Sequence, residues 1–589
     1  MNIFSKIFSG KMLLDIQNLT IEVLQNESKH VICKDLNFTV NPGETIGILG
    51  ESGSGKSITA LSLLQLLPPS IRISQGKINY TQTDNSIIDL VSANKKDLQN
   101  IRGKELSMVF QEPMSSLNPS FTCGNQVLET ILQHQKISGK EAKERVLELF
   151  NKVNLQDPNG IFNSFPHQLS GGQKQRVMIA IAISCNPRLL IADEPTTALD
   201  VTVQKSILEL LKKIQVEMGM SILFISHDIS VIAEIAQRLL VFYRGEIVEQ
   251  GSVKEILEHA KHPYTQGLLG CRTSVYTKGQ RLKTLEGALP NSPVRGEPKS
   301  SDVNDTKLSN ASSFLGSSLS KETGGVSILQ IHKLNVSFSK SGGFFSPHKT
   351  KQVLQNISFD VQQGETLGLV GESGSGKTTI GRSIMKLIDS VSGTIEFQGV
   401  SLDKMSTNEL KKFRKEVQII FQDPYSSLNP KISVGEMIGE PLKVHGIYKT
   451  AKERKQRVME LLTQVGLAVG HYTRYPHQFS GGQRQRIGIA RALAVEPKLI
   501  ILDESVSALD VSIQAQILNL LNDLKKMYNL TFIFISHDLN TVRYMADRLI
   551  VLQDGMIVEK GFSEEVFSSP QMMYTKNLIN AIPGKQELT

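Results

Sequence analysis

The sequence predicts an α/β protein made of two tandem copies of one domain, each with a mostly parallel sheet and flanking helices. Two observations predict this fold class. Five motifs occur twice, in the same order and at nearly constant spacing. In addition, short apolar runs typical of buried strands alternate with helical patterns. The repeat is a duplicated domain rather than a solenoid, because solenoid repeats span only about 20–50 residues.

The duplication is visible in the motifs themselves. TIGILGESGSGKS in the first half returns as TLGLVGESGSGKT in the second half, and FQEPMSSLNP returns as FQDPYSSLNP. PHQLSGGQKQR returns as PHQFSGGQRQR, ADEPTTALD as LDESVSALD, and FISHD returns unchanged. We therefore predict two domains, at residues 12–272 and 328–585. Residues 273–327 are predicted to form a flexible linker, because this stretch is rich in serine and asparagine and its charges are sparse.

Strands and helices can be placed within the copies. Three apolar runs are predicted to be strands that are buried on both faces, namely Thr45–Leu49, Leu189–Ala192 and Ile222–Ile225. Helical patterns occur at Val203–Ile214 and Val511–Leu524. Parallel sheets bind their ligands beyond the carboxyl ends of the strands. A glycine-rich loop, an acidic pair and a histidine each follow a strand, so we expect them to converge at that edge.

Length and composition narrow the class of protein. The 589 residues exceed one compact domain, and 40% hydrophobic with 21% charged residues is typical of a soluble globular chain. A net charge of +8 is a mild excess that by itself selects neither a membrane surface nor nucleic acid. No run of about 18 apolar residues predicts a membrane-spanning helix, and residues 1–11 lack the features of a signal peptide. The four cysteines form no CxxC pair, which argues against a local zinc site.

A phosphate-binding loop of the form GxxxxGK[ST] lies between a predicted strand and a predicted helix in each copy. Backbone N–H groups of such a loop wrap a polyphosphate, its lysine neutralises the β and γ charges, and its hydroxyl binds Mg²⁺. A chance glycine-rich turn is the alternative, and the second occurrence argues against it. The first loop consists of Gly50, Glu51, Ser52, Gly53, Ser54, Gly55, Lys56 and Ser57. The second consists of Gly371, Glu372, Ser373, Gly374, Ser375, Gly376, Lys377 and Thr378.

An acidic pair ends an apolar strand in each copy. The pairs are Asp193 with Glu194 and Asp503 with Glu504. A strand-end aspartate suits a Mg²⁺ site, usually through water. The adjacent glutamate can polarise an attacking water. A lone pair of this kind is more often an ordinary strand end, but its repetition at the same place favours a functional role.

A histidine and a glutamine also follow strands in each copy. His227 and His537 stand where a side chain could contact a γ-phosphate. Gln111 and Gln422 follow apolar stretches and could reach a metal ion or water. Taken alone, a histidine is more often structural than catalytic, and each glutamine carries little weight.

A second candidate anion site precedes a helical run in each copy. Small residues with free N–H groups at a helix start attract anions. One domain cannot easily wrap both this site and the phosphate loop around one triphosphate, whereas two facing domains can. Simple helix capping is the alternative. The two tetrapeptides consist of Ser170, Gly171, Gly172 and Gln173, and of Ser480, Gly481, Gly482 and Gln483.

The ordered set of motifs resembles the ATP-binding-cassette (ABC) ATPases over nearly all of both halves. The resemblance implies two P-loop ABC ATPase domains, each with a small antiparallel β part and a helical subdomain, that use ATP and Mg²⁺. It also implies head-to-tail pairing of the halves within the chain, so that each phosphate loop faces the other half's SGGQ signature. Leu199-Asp200 and Leu509-Asp510 match the family's loop at this interface. We assign catalysis to Glu194, Glu504, His227 and His537. We assign Mg²⁺ to Ser57, Gln111, Asp193, Thr378, Gln422 and Asp503.

A narrower resemblance concerns transport. SSLNP after each glutamine, PHQ before each signature and HPYTQGLL at His262 are similar to ATPases of dipeptide, oligopeptide, nickel and glutathione importers, and the fusion resembles microcin C or peptide importers. The resemblance implies import of peptides or a peptide-like solute through two membrane permease subunits, supplied by an extracytoplasmic solute-binding protein. The chain would lie on the cytoplasmic side of the bacterial inner membrane. Helical insertions at residues 112–165 and 423–475 would receive the permeases.

Adenine binding is where the halves depart from one another. The family stacks adenine on an aromatic residue upstream of the phosphate loop, and Phe338 fits that place in the second half. Val23 occupies it in the first half, where a neighbour such as His30 is an alternative stacking partner. The two ATP sites are therefore predicted to differ.

A soluble tandem ATPase that acts on ribosomes or nucleic acid is the alternative function. The basic charge balance permits it. However, the linker is serine-rich rather than a long charged helix, and neither zinc CxxC motifs nor long coiled-coil insertions occur. An inactive pair of domains is a third possibility, and the lysine, acidic pair and histidine retained in both halves argue against it. We therefore predict no nucleic-acid partner.

Overall fold

The chain divides into two compact units. One comprises Met1–Gly270 with Ala581–Thr589, and the other comprises Cys271–Asn580. No helix in the described part of the chain is long and apolar enough to cross a membrane. The computed structural model describes residues 12–25, 28–111, 116–197, 199–285, 326–340, 349–388, 391–423, 427–507 and 509–583.

The first unit contains two sheets. In chain order, its strands are β1 (Leu14–Gln25), β2 (Ser28–Val40), β3 (Thr45–Leu49), β4 (Ile71–Thr81), β5 (Ile87–Asp89), β6 (Leu106–Val109), β7 (Leu189–Asp193), β8 (Ser221–Ser226), β9 (Arg238–Tyr243) and β10 (Glu246–Ser252). The larger sheet has the order β10-β9-β3-β8-β7-β6 and is parallel except for the β9–β10 pair. The smaller sheet, β2-β1-β4-β5, is antiparallel. The mostly parallel sheet and the antiparallel part expected from the sequence are both present.

Helices flank these sheets and form a separate group after β6. They are α1 (Lys56–Leu63), α2 (Lys95–Ile101), α3 (Cys123–His134), α4 (Gly139–Lys152), α5 (Pro158–Asn163), α6 (Gly171–Ile183), α7 (Val201–Met218), α8 (Ile229–Ile235), α9 (Val253–His259) and α10 (Pro263–Gly270). Helices α3, α4 and α5 pack on one another, α3 and α4 also pack on α6, and together they form the helical subdomain that the resemblance implied. A capping box between Ser138 and Glu141 fixes the start of α4.

The core of the first unit lies between its two sheets. Ile21 and Leu36 of the antiparallel sheet belong to the same buried cluster as Ile46 and Ile191 of the parallel sheet. Strands β3, β7 and β8 are buried along their whole length. Burial on both faces explains their continuous apolar runs, because a strand with one solvated face would alternate apolar and polar residues. The three strands predicted from the sequence are confirmed.

The second unit repeats this architecture. Its strands are β11 (Ser327–Lys340), β12 (Lys349–Gln362), β13 (Thr366–Val370), β14 (Val391–Phe397), β15 (Val400–Ser401), β16 (Val417–Ile420), β17 (Leu499–Asp503), β18 (Thr531–Ile535), β19 (Arg548–Gln553) and β20 (Met556–Phe562). The sheet orders are β16-β17-β18-β13-β19-β20 and β12-β11-β14-β15. Its helices are α11 (Lys377–Ile384), α12 (Thr407–Glu416), α13 (Val434–Val444), α14 (Ala451–Gln464), α15 (Gly481–Leu493), α16 (Val511–Tyr528), α17 (Leu539–Met545), α18 (Ser563–Ser568) and α19 (Met573–Asn580).

The beginning of the predicted linker belongs to the second unit. Of residues 273–327, those at 286–325 lie outside the described residues, so the linker as a whole stays a prediction. Residues 276–285, which we call the strap, are described and lie against α16 and α17. The Leu282 backbone N–H donates to Asn519 Oδ1 at 3.0 Å, and Asn519 Nδ2 donates to the Leu282 carbonyl at 2.9 Å. Arg281 donates two hydrogen bonds to the Asp523 carboxylate, at 2.9 and 3.0 Å. Lys278 pairs with Asp547.

We expect the buried leucine of the strap to matter more for stability than the strap's ion pairs. Leu282 is 3% exposed, whereas surface ion pairs contribute at most about 1 kcal/mol. Leu282→Ala should lower the free energy of unfolding of the second unit by about 2 kcal/mol or more, through the lost burial and the cavity. Val275→Ala is the matched control, because Val275 is exposed and lies just before the strap. Thermal unfolding of the full chain measures both. Equal melting curves for the two variants would contradict the docked position of the strap.

Candidate nucleotide-binding sites

In each phosphate loop, the residue just before the helix is a glycine that no other residue can replace without strain. Gly55 and Gly376 both have φ of 103°, in the left-handed region. A Cβ on Gly55 would lie 2.6 Å from Cys33 Sγ, and one on Gly376 would lie 2.4 Å from Leu354 Cδ2. The next residue begins α1 or α11, so the N–H groups of the first helical turn face the loop. A helix start behind such a loop can bind a phosphate group, so the phosphate-binding role of both loops stays a prediction.

The loop lysines are folded back onto their own loops. Lys56 Nζ donates to the carbonyls of Gly50 and Glu51 at 2.7 and 2.9 Å. Lys377 Nζ makes the same two bonds in the second unit, at 2.7 and 2.8 Å. Both side chains are almost fully buried. The ammonium groups are thus held at the loop, where the oxygens of a polyphosphate would compete with the carbonyls for them.

A hydroxyl and a carboxylate meet next to each loop. Ser57 Oγ donates to Asp193 Oδ1 at 3.1 Å, and Thr378 Oγ1 donates to Asp503 Oδ1 at 3.0 Å. Burial raises the pKa of Asp193 to about 6, aided by the charge of Glu194 and opposed by Ser57. Burial likewise raises the pKa of Asp503. A bound cation would relieve the desolvation of these carboxylates.

The hydroxyl–carboxylate pairs fit Mg²⁺. This cation prefers oxygen ligands and is usually held by one or two carboxylates together with substrate phosphates. Within the described residues, no group of three or more His, Cys, Asp or Glu side chains could hold a metal by itself. The hydroxyl–carboxylate pairs therefore suit a cation that is also coordinated by the phosphates of a bound nucleotide.

Glu194 is the centre of a hydrogen-bonded cluster in the first unit. It accepts from Gln111 Nε2 at 3.0 Å and from Thr197 Oγ1 at 2.9 Å, and it lies 3.2 Å from His227 Nδ1. Its burial would raise the pKa, but the hydrogen bonds and the charge of His227 outweigh burial and lower the pKa to about 2. Gln111, assigned to Mg²⁺ from the sequence, thus contacts the glutamate, and its role at the metal stays a prediction.

The second unit holds the equivalent cluster around Glu504. Gln422 Nε2 donates to Glu504 Oε2 at 2.6 Å, and His537 Nδ1 lies 3.3 Å from the same oxygen. Ser507, in the place of Thr197, donates to the Glu504 main-chain carbonyl at 2.9 Å instead. Burial by itself would raise the pKa of Glu504, but the hydrogen bond and charge of His537 keep that pKa below its usual value. Both glutamates have φ of 47°, an uncommon backbone for a non-glycine residue, which points to a constrained site.

The SGGQ signatures begin α6 and α15, and Ser170, Gly171 and Ser480 are exposed there. Ser170 Oγ accepts from the Gln173 N–H at 3.3 Å, and Gln173 Oε1 accepts from the Ser170 N–H at 3.0 Å. Ser480 and Gln483 form the same capping box at 3.4 and 3.2 Å. The side chains therefore cap α6 and α15, as the capping alternative requires. The anion-binding role of the signatures stays a prediction.

The adenine positions differ between the two units. Phe338 is 43% exposed and lines a cleft of about 700 Å³ together with Lys377, Thr378 and Glu504. In the first unit, Val23 pairs with His30 across the β1–β2 ladder. Phe338 and its cross-strand partner Lys351 both line the cleft. His30 is the cross-strand partner of Val23, so it holds the position in the first unit that Lys351 holds in the second.

A tyrosine behind each phosphate loop was not identified as a site residue from the sequence. The Glu51 N–H donates to Tyr264 Oη at 3.2 Å, although the two residues are 213 positions apart. The Glu372 N–H donates to Tyr574 Oη at the same distance. The available signal was HPYTQGLL, which contains Tyr264 and marked a resemblance without indicating a contact.

Comparison with known families decides the classification. The ABC transporter profile matches residues 33–197 and 354–507, which include both phosphate loops and both acidic pairs. The chain belongs to the ABC transporter family. A second profile, the oligopeptide/dipeptide transporter C-terminal region, matches residues 248–297 of this ABC protein.

Relatives extend the similarity over nearly the whole ABC chain. The glutathione import ATP-binding protein GsiA of Escherichia coli (strain K12) is 43% identical over 588 residues, which cover 97% of this chain and 89% of the relative. The GsiA protein of Pectobacterium atrosepticum is 43% identical over 580 residues, covering 97% and 90%. A solved dimer of the ATP-binding cassette MJ0796, bound to ADP and Pi, is 30% identical and covers 41% of this chain and 98% of that chain, with a TM-score of 0.37.

Proposed function

We propose that the protein is the ATPase subunit of an importer for peptides or a peptide-like solute. The carrying observation is that both units hold a complete set of phosphate-loop lysine, hydroxyl–aspartate pair and hydrogen-bonded glutamate in the same geometry. The similarity to glutathione import ATP-binding proteins over 97% of the chain supports the transport role. Glutathione is itself a small peptide, which fits the solute class.

The proposed reaction is hydrolysis of the terminal phosphate of ATP at each site. The loops Gly50–Ser57 and Gly371–Thr378 hold the phosphates, and Lys56 and Lys377 exchange carbonyl partners for phosphate oxygens. Bound Mg²⁺ would neutralise charge on the phosphates, held by the hydroxyl–aspartate pairs. Gln111 and Gln422 extend toward the same region from the ends of β6 and β16.

Glu194 and Glu504 are proposed as the residues that orient and deprotonate the attacking water. Each is ionised at neutral pH and is held in place by a glutamine and a histidine. His227 and His537 position the carboxylate and, as the γ-phosphate is bound, donate toward it. A carboxylate with a pKa well below 7 is a weak base, so its main contribution is to orient the water and to accept its proton late.

We propose that the two halves pair within one chain and close over ATP. Each phosphate loop would then receive the signature of the other half, Ser480–Gln483 or Ser170–Gln173. The exposure of Ser170 and Gly171 supports this use, because an exposed helix start leaves its N–H groups accessible to an anion. Asp200 and Asp510, at the N-caps of α7 and α16, would lie in the loops at the interface.

The partners are proposed to be two membrane permease subunits, with an extracytoplasmic solute-binding protein acting through them and no nucleic acid. The protein would be peripheral, on the cytoplasmic side of the bacterial inner membrane. The helical insertions at 112–165 and 423–475 would make the contact, and parts of both lie outside the described residues. Phe121 is 55% exposed at the edge of the first insertion, as a docking surface for an apolar helix would require.

Co-expression with candidate permeases tests the proposed function. The protein should remain in the supernatant when expressed alone and should sediment with membranes when the permeases are present. A pulldown that recovers ribosomes or nucleic acid instead of permeases would contradict the proposal and favour the alternative function.

The docking surface can be tested separately. Phe121→Asp, and substitutions at residues 115–118 or 426–429, should abolish most solute uptake while ATP hydrolysis persists, because the permease would no longer sense the ATPase. Val216→Asp is the matched control, since Val216 is also an exposed apolar residue and lies on α7. Uptake that is unchanged by Phe121→Asp, or reduced equally by the control, would count against this surface.

A further inference from the structure

The C-terminal region of each half reaches the back of the phosphate loop through one hydroxyl group. Tyr264 lies on α10 and is completely buried, with its ring 4.2 Å from the ring of Tyr243. Its Oη accepts the backbone N–H of Glu51, the second residue of the loop. Tyr574 on α19 makes the same contact with the N–H of Glu372. The contact therefore occurs twice, in units whose C-terminal sequences differ.

The tyrosine contact recurs in the second unit although the surrounding sequence there differs from that of the first unit. HPYTQ in the first half corresponds to MMYTK in the second, and the family profile for this region matches only residues 248–297. The tyrosine and the following threonine are retained, whereas the histidine and proline are not. The shared feature is thus the side chain that contacts the loop.

The bonded N–H belongs to the peptide that also binds the loop lysine. The Gly50 carbonyl, which shares a peptide with the Glu51 N–H, accepts from Lys56 Nζ at 2.7 Å. The Gly371 carbonyl, which shares a peptide with the Glu372 N–H, accepts from Lys377 Nζ at the same distance. The tyrosine therefore holds this peptide through its N–H, while the lysine binds it through its carbonyl. The lysine must leave that carbonyl when it binds phosphate.

A carboxylate anchors the helix that carries each tyrosine. Glu249 on β10 accepts the N–H groups of Lys261 and His262, at 2.7 and 3.2 Å, immediately before α10. Glu559 on β20 accepts those of Gln571 and Met572, at 2.8 and 3.1 Å, before α19. These bonds satisfy free N–H groups at the helix start and fix where the helix begins. The tyrosine is thus held by an anchored helix rather than by a loose tail.

We infer that Tyr264 and Tyr574 are positioning residues for ATP binding, and that the C-terminal region of each half serves as a support for its phosphate loop. The inference rests on the proposed ATP-binding function. By accepting the N–H of Glu51 or Glu372, each tyrosine holds the loop in its binding conformation before ATP arrives. Preorganisation of this kind contributes to affinity by lowering the entropy lost on binding.

The test uses the full chain with one site disabled at a time. In a Lys377→Ala background, Tyr264→Phe should raise the dissociation constant of the first site for a fluorescent ATP analogue with Mg²⁺ by roughly fivefold, the effect of one hydrogen bond. In a Lys56→Ala background, Tyr574→Phe should do the same at the second site. Tyr264→Phe in the Lys56→Ala background should leave the affinity of the second site unchanged.

Tyr80→Phe is the matched control. Tyr80 is as buried as Tyr264, and its hydroxyl donates to Glu105 at 2.8 Å in the core of the same unit. It should lower the melting temperature without changing nucleotide affinity. In steady-state hydrolysis, Tyr264→Phe and Tyr574→Phe together should raise KM with little change in kcat, whereas partial unfolding would lower kcat and leave KM alone.

The outcomes separate this inference from the proposed function. If the Lys377→Ala protein binds no nucleotide even with Tyr264 intact, the proposed ATP-binding function fails at the first site. If it binds nucleotide and Tyr264→Phe binds equally well, the support role of the tyrosine is wrong. A loss of affinity equal to that of Tyr80→Phe would also overturn it, since both changes would then act through general stability.

Discussion

Replacing both Glu194 and Glu504 with glutamine should reduce ATP turnover by about 100-fold or more, while ATP binding persists. Each carboxylate stands in the same cluster with a glutamine and a histidine, at 3.2 Å from His227 in one unit and 3.3 Å from His537 in the other. A positioned carboxylate that accepts a proton contributes roughly 10²–10⁴ to the rate. Glutamine keeps the shape but cannot accept that proton. The double variant should accumulate as a closed, ATP-bound form.

The single variants measure how much each site contributes to ATP turnover. Because both acidic pairs are complete, Glu194→Gln alone and Glu504→Gln alone should each slow turnover, and both effects are read from phosphate release at saturating ATP. Glu44→Gln is the control, because Glu44 is a half-buried glutamate of the first unit that pairs with Arg238 at 2.9 Å away from the phosphate loop. It should affect stability only. A double variant that hydrolyses ATP at the wild-type rate would show that the catalytic assignment is wrong.

The convergence of the site residues could be predicted from the sequence. Asp193, His227 and the loop before Lys56 each follow an apolar run, and parallel strands present their carboxyl ends at one edge. The structure places β3, β8 and β7 side by side in the sheet, which brings Ser57 onto Asp193 and His227 onto Glu194. Local motif chemistry and a simple topological rule were sufficient here.

The contacts made by the chain after β10 could not be predicted in the same way. Tyr264 meets a loop 213 residues away, and a single buried tyrosine has no periodicity or spacing that indicates its partner. Leu282 is likewise one apolar residue at the start of a segment whose average composition suggested a linker. Its backbone is bonded to Asn519, a buried polar residue inside α16 that sequence patterns would assign to a solvated face. Composition describes a segment on average, whereas docking depends on a few side chains.

The signature helices show a different limit. The sequence offered two interpretations of Ser170–Gln173, capping and anion binding, as if they excluded one another. In the structure, the Ser170 and Gln173 side chains cap the helix start and leave Gly171 exposed. Capping by side chains and recognition of an anion by the remaining N–H groups are compatible, so the first does not argue against the second.

The first ATP site should bind nucleotide about tenfold more weakly than the second and should discriminate less against GTP. Phe338 presents an aromatic face to the cleft of the second unit, where Lys377 and Thr378 also lie. Val23 offers only a small aliphatic surface at the corresponding place. Stacking of a base on an aromatic side chain is worth roughly 1–3 kcal/mol, and about 1.4 kcal/mol corresponds to a tenfold change in affinity. Titrations of each site in the Lys377→Ala and Lys56→Ala backgrounds measure the difference.

Three substitutions distinguish an unfilled stacking position from one that a neighbour fills. Val23→Phe should tighten the first site, and Phe338→Ala should weaken the second by a similar factor. His30 faces Val23 across the β1–β2 ladder, with Nε2 at 2.9 Å from Ser28 Oγ, so its ring is the available substitute. If His30 stacks on the adenine, His30→Ala should weaken the first site. If it does not, His30→Ala should leave the first site unchanged and only Val23→Phe should alter it. Equal affinities of the two sites, with no response to Val23→Phe or Phe338→Ala, would refute the predicted inequality.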